Sequence, residues 1–160
     1  MEKIASFTVN HLDLLCGLYV SRRDKIGQEV VTTFDMRVTR PNTEPVMDTP
    51  AIHAIEHLGA TFLRNNELWK DKTVYFGPMG CRTGFYIILA GELEPSDIYD
   101  LIKDMCEFIL GYSGAIPGAS ARDCGNYLDL NLDMAKFYIN KYKNEVLDNF
   151  TKERQVYPND

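Results

Sequence analysis

The chain has no long hydrophobic run. Its longest uninterrupted apolar stretch covers residues 85–90, whereas a membrane-spanning helix requires about 20 such residues. Its first fifteen residues, MEKIASFTVNHLDLL, are interrupted by polar side chains, so no secretory signal is expected. There is no concentrated basic segment either. The net charge is −6, and the densest basic group, Lys141 to Lys143, lies in an acidic stretch. That group reads as a solvated helix face, and nucleic acid is not an expected partner. Internal repeats, low-complexity tracts and Gly/Ser linkers are lacking, so one domain over residues 1–160 is expected. Cysteine is scarce, at four residues. Without a secretion signal these should be reduced thiols in a cytoplasmic protein, which makes metal binding or catalysis the first question for each.

What is present is an ordinary globular composition, 45% hydrophobic and 25% charged, enough for a real core at this length. CGLYVSR and EVVTTFDMRVT are rich in β-branched and aromatic residues, and the polar segment 24–28 with Gly27 between them suggests a hairpin. Pro41 ends the second strand. A helix is expected near Pro50, with Asp48 and Thr49 as capping candidates, fading at Asn65-Asn66. TVYFGPMG and TGFYIILAG read as two further strands. Residues 95–110 read as a second helix closed by Gly111, and residues 132–150 as a third. Between them, GYSGAIPGASARDCGNY is long for a passive connection. Mixed elements without strict βαβ alternation imply an α+β fold, a mostly antiparallel sheet packed against helices.

The informative segment is His53-Ala54-Ile55-Glu56-His57, which holds two of only three histidines in the chain. Helical residues four apart are rotated by about 40° and separated by about 6 Å along the axis, so two imidazoles can serve one ion. Glu56 stands beside them without being forced to ligate. The order is HxxEH, which the inverted zincins also carry. A chance pair on an amphipathic helix is the bland alternative, but ionisable groups on an otherwise apolar helix are costly unless paired or ligated.

A catalytic metal keeps three protein ligands and one open position, so a third must come from elsewhere. Cys16 starts an apolar strand and Cys106 lies in an apolar helix; both read as small buried hydrophobes. Cys81 and Cys124 sit at turns beside glycine, in Met79-Gly80-Cys81-Arg82 and Asp123-Cys124-Gly125-Asn126. Arg82 next to Cys81 would favour thiolate. Residue type and spacing alone leave open which of the two is a ligand and which an acid/base group.

Several separated segments, taken together, resemble the S-ribosylhomocysteine lyase (LuxS) family. They are Ser6-Phe7 with His11, Phe34-Asp35-Met36-Arg37 followed by Pro41-Asn42, HAIEHLGATFLRN, GPMGCRTGFY and CGNY, spanning roughly residues 4–130. The resemblance implies His53, His57 and Cys124 as ligands of one divalent metal per subunit. Fe2+ is the expected ion, with Zn2+ or Co2+ able to substitute. It implies Glu56 and Cys81 as the acid/base pair, and Ser6, His11, Arg37 and Arg64 as lining the substrate pocket. It also implies a homodimer with active sites at the subunit interface. Tyr75 departs from the pattern, since some members carry aspartate there.

The implied reaction cleaves the thioether of S-ribosylhomocysteine to homocysteine and 4,5-dihydroxy-2,3-pentanedione, the autoinducer-2 precursor. The carbonyl migrates two carbons before sulfur leaves by β-elimination, which suits a Lewis-acidic metal and two proton carriers. Arg37 would meet sugar hydroxyls or developing negative charge, and Arg64 the homocysteine carboxylate. Arg64 could equally compensate the dipole at the end of its helix. Two other readings compete: an HxxEH metallopeptidase, and a structural metal module with Cys81 as fourth ligand.

Overall fold

The chain first folds back on itself at Gly27, in the computed structural model, which describes residues 8–158. Strand β1 (Gly17–Ile26) runs antiparallel to β2 (Glu29–Arg37), with Ile26 paired to Glu29 and only Gly27 and Gln28 in the turn. Gly27 has φ +65°, which a two-residue hairpin demands and other side chains resist. β3 (Thr73–Pro78) and β4 (Gly84–Ala90) complete a four-stranded sheet in the order β1-β2-β4-β3, antiparallel throughout.

Alternation along the strands gives the sheet two different faces. Leu18, Phe34, Met36, Phe85, Ile87 and Leu89 are buried together against the helices. Asp35 and Tyr86, paired across β2 and β4, belong to the other face. The β1 ladder slips between Val20 and Arg22, so Ser21 is the extra residue of a bulge. Such bulges re-aim side chains, often next to sites.

Helix α1 (Thr49–Asn65) starts where the sequence predicts. The Asp48 carboxylate accepts from the Ala51 amide at 3.0 Å, and Pro50 lies in the first turn. Ile52, Ile55, Leu58 and Leu63 enter the core, each worth about 1.5–3 kcal/mol of burial. His53, Glu56 and His57 are left half-buried on the opposite side. A single 3-10 turn, Pro95–Ile98, leads into α2 (Tyr99–Gly111), and the Asn131 side chain caps α3 (Leu132–Tyr142). The architecture is α+β.

The C-terminal part differs from the predicted helix over 132–150. After Tyr142 the chain makes one π-helical turn, Lys143–Leu147, in which the Asp148 amide reaches the Lys143 carbonyl. The widened turn puts the consecutive residues Val146 and Leu147 both in the core. Lys141 is not a solvated cation. Its ammonium reaches Glu145 (2.9 Å), Glu44 (3.1 Å), the Val38 carbonyl (3.1 Å) and Cys16 Sγ (3.6 Å). Beyond it the tail returns along β1. Arg154 donates to the Cys16 carbonyl at 2.7 Å, and Tyr157 stacks on Tyr19 with ring centroids 4.8 Å apart. Among the described residues no helix is long and apolar enough to cross a membrane.

Candidate metal centre and the Cys81 cavity

Helical spacing brings the two histidines of α1 together, and the long loop delivers a cysteine to them. The His53 and His57 rings are 4.6 Å apart. Cys124 Sγ lies 3.3 Å from His53 Nε2, and ligand atoms of His53, His57 and Cys124 all fall within 4.8 Å of one another. Each imidazole is oriented through its other nitrogen. His53 Nδ1 meets the Asp129 carbonyl at 2.9 Å and His57 Nδ1 the Pro117 carbonyl at 2.7 Å. A carbonyl only accepts, so Nδ1 carries the proton and the Nε2 lone pair is left for a metal. These donors fit a divalent ion of intermediate softness.

The loop's own backbone fixes the third candidate ligand. The Cys124 amide donates to the Ser120 carbonyl at 3.0 Å, and Cys124 Sγ accepts from the Asn126 amide at 3.4 Å. The Asn131 amide bonds the Pro50 carbonyl, tying the end of the loop to the start of α1. Gly118, at φ +73°, passes so close to His57 that a Cβ there would lie 3.3 Å from Nδ1. Glu56 stands one helical step away, half-buried and with no hydrogen bond or ion pair among the described residues. A second group of possible ligands, Cys16, Glu44 and Glu145, already surrounds a cation, the Lys141 ammonium.

Cys81 is exposed in the β3–β4 turn and is not in the metal-ligand group. It borders a cavity of about 350 Å³ with His11, Ser21, Asp35, Arg37, Tyr86 and Tyr157, among others. It also borders a neighbouring one of about 270 Å³ that shares His11 and Arg37. Neither is lined by His53, Glu56, His57 or Cys124. The guanidinium that reaches Cys81 belongs to Arg37, whose Nη1 is 3.9 Å from Sγ and 2.6 Å from Thr83 Oγ1. Arg82, expected in that role, contributes backbone instead. Its carbonyl accepts from Met47, and it holds φ +60°, a strained conformation that costs about 1 kcal/mol or more.

Arg37 is itself paired with Asp35 inside the sheet face, where both side chains are at most 5% exposed. Burial pushes the Asp35 carboxyl above its usual range while Arg37 opposes the shift. Burial alone would lower the Arg37 pKa, but the Asp35 charge, its hydrogen bond and the nearby Cys81 and Tyr157 together outweigh it and hold the guanidinium above its ordinary value. Sequence reasoning missed Asp35 and Tyr157 as neighbours of the site. An aspartate in the middle of a β-branched strand, two residues from an arginine and so on the same face, was the available signal.

The other expected residues separate. His11 lines both cavities, its Nδ1 2.8 Å from the Val9 carbonyl. Arg64 is exposed and donates to the Val74 carbonyl of β3 at 3.3 Å. Tyr75 lines neither cavity. Ser6 lies outside the described residues.

Residues 4–153 match the family described as S-ribosylhomocysteinase (LuxS). The chain belongs to the LuxS family. Relatives named S-ribosylhomocysteine lyase are similar over nearly their whole length. That of Clostridium beijerinckii is 62% identical, covering 99% of this chain and 100% of the relative. The Finegoldia magna protein is 62% identical, covering 99% of each. The Borreliella burgdorferi protein is 51% identical, covering 99% of this chain and 100% of the relative.

Proposed function

We propose that this chain is a metal-dependent carbon–sulfur lyase that cleaves S-ribosylhomocysteine to homocysteine and 4,5-dihydroxy-2,3-pentanedione, the precursor of autoinducer-2. The observation that carries the reading is the His53, His57 and Cys124 triad, with both Nε2 atoms turned away from their backbone acceptors. Bound there, a divalent ion, Fe2+ by preference with Zn2+ or Co2+ as substitutes, supplies Lewis acidity for carbonyl polarisation.

The residues of the chain supply the rest. Sulfur leaves only once the carbonyl has moved two carbons along the sugar, and each move takes a proton from a carbon and returns one to its neighbour. Cys81 removes the protons during these isomerisations. Glu56, with no fixed partner among the described residues, carries protons between oxygen and carbon and assists the final elimination. Homocysteine departs as its thiolate, so the products together contain the atoms of the substrate. Arg37, fixed between Asp35 and Thr83, meets negative charge developing on the sugar. His11 borders the same pocket, substrate binding is assigned to it and to Ser6, and Arg64 is assigned the homocysteine carboxylate.

A homodimer completes the site in this reading. The Cys81 cavities include no metal ligand and no Glu56, so the Cys81 side of one copy faces the metal side of another. We assign the chain a cytoplasmic location, as a single lyase domain in methyl-group recycling and quorum-signal synthesis. The direct test supplies S-ribosylhomocysteine to the metal-loaded protein and titrates free thiol. Stoichiometric thiol release is expected, and its absence would remove the lyase reading. Within one chain the cluster offers three candidate ligands, and Cys81 is not a fourth.

A further inference from the structure

We propose that Tyr157, in the tail beyond the family-matched span, is a positioning residue for the Cys81 cavity: its hydroxyl fixes Asp35, which in turn fixes the Arg37 guanidinium beside Cys81. Tyr157 lies after residue 153, where the family match ends, and belongs to none of the motifs read from the sequence. The structure nevertheless places the Tyr157 ring in the cavity wall with Cys81, Arg37 and His11.

The chain of contacts is short. Tyr157 donates its hydroxyl to Asp35 Oδ2 at 2.8 Å, the same oxygen that accepts from Arg37 Nη2. At its other end Arg37 is held by Thr83 Oγ1 and reaches Cys81 Sγ. Asp35 Oδ1 and Arg37 Nε are buried with no hydrogen-bond partner. The direction of the guanidinium therefore depends on very few contacts, one of them secured by Tyr157. A buried carboxylate that loses one of two donors must reorient or recruit its remaining partner more strongly. Either response moves Arg37.

Tyr157 is well held for this task. It stacks on Tyr19, which is fully buried and donates to the Leu15 and Glu153 carbonyls. Arg154 anchors the same tail to the Cys16 carbonyl. Burial and the neighbouring Asp35 charge push the phenol pKa far up, so the hydroxyl stays a donor throughout the neutral range. A tyrosine serving only as packing would need the ring and not the hydroxyl.

The inference rests on the reading that Cys81 and Arg37 belong to the lyase site, and the experiment separates the two. Tyr157→Phe, Asp35→Asn and the double variant are compared with the unchanged, metal-loaded full chain. Thiol release, melting temperature, metal content and the rate of Cys81 alkylation by iodoacetamide are measured. For Tyr157→Phe the stack on Tyr19 survives, so the fold and metal content hold, and the melting temperature falls by only a few degrees for the lost hydrogen bond. kcat/KM falls on the order of tenfold. Alkylation of Cys81 slows by about threefold or more as Arg37 loosens. In the Asp35→Asn background the Tyr157→Phe change adds nothing, the signature of two residues acting in series. Unchanged alkylation and turnover in Tyr157→Phe, or losses that simply add, would overturn the proposal. If Asp35→Asn does not fold, Tyr157→Phe alone decides. If the unchanged chain releases no thiol, the lyase reading falls, and the alkylation rates still decide the role of Tyr157.

Discussion

Cys124 Sγ stands 3.3 Å from His53 Nε2 although the two residues are 71 positions apart in the chain. The contact joins a loop to the first half of α1 and closes a donor set that neither segment holds alone. The same loop also supplies both backbone carbonyls that orient the histidines.

Cys124→Ala should therefore lose the metal and keep the fold. The loop retains its backbone bonds to the Ser120 and Pro50 carbonyls, while the ion loses one of three ligands. Affinity should fall by more than the 10–100-fold typical of removing a supporting contact. Competition with a chromophoric chelator measures it, and metal retention at wild-type affinity would remove Cys124 from the ligand set.

Cys81→Ala and Glu56→Gln should do the reverse. Neither side chain is in the ligand group, so metal content should stay at the wild-type level. Turnover should drop by about 10²–10⁴-fold, the usual contribution of a positioned proton carrier. Elemental analysis alongside thiol release separates the two effects. Loss of metal in either variant would mean that its assigned role is wrong.

Mixing these defects in one dimer tests where the site lies. If one copy contributes Cys81 and the other the metal ligands, subunits of Cys81→Ala and Cys124→Ala exchanged at equal amounts should regain activity. Random pairing would restore about a quarter of the wild-type rate, from one intact site in half the dimers. Neither variant alone should show it. No recovery after demonstrated exchange would place each site within one chain.

Alkaline conditions should weaken the fold through the cluster around Lys141. Burial pushes the Cys16 thiol up from 9.0 to about 11, with Lys141 opposing the shift. The folded state thus holds a proton that the unfolded chain releases from pH 9.0 upward. This contribution is fully present below pH 9.0 and is lost as pH rises toward 11, on the order of 2 kcal/mol in all. Lys141 acts in the same sense. Burial works against its charge, but Glu145, Cys16 and Glu44 outweigh it and hold its pKa above 10.5. Urea unfolding midpoints should fall between pH 9 and 10.5, and less steeply in Cys16→Ala. A midpoint that does not change across that range would contradict the assignment.

Local signals made the framework legible. Asp48 and Pro50 announce α1, Gly27 announces the hairpin, and β-branched runs announce all four strands. The HAIEH spacing carries its geometry within one helix, so two of the three metal-ligand candidates could be read from the residues themselves. The third could not, because nothing local marks Cys124 over Cys81; that choice came from resemblance. Long-range polar pairing was equally hidden. Lys141 looks like a surface lysine until Glu44, Val38 and Cys16 fold around it. Tyr157 carries no motif, and its place follows only from a tail that turns back along β1. The helix expected over residues 132–150 runs past the end of α3 because apolar spacing persists through Val146 and Leu147, where a π turn replaces the α-helix.

Both acceptors that orient the histidines are main-chain atoms, the carbonyls of Pro117 and Asp129. Every residue type has that carbonyl. The side chains at these two loop positions are thus free to change, provided the loop keeps its path, without altering which imidazole nitrogen faces the ion. Substitutions at these two positions should therefore leave the orientation of both imidazoles unchanged, whereas one that shifts the backbone, as at Gly118, should disturb it.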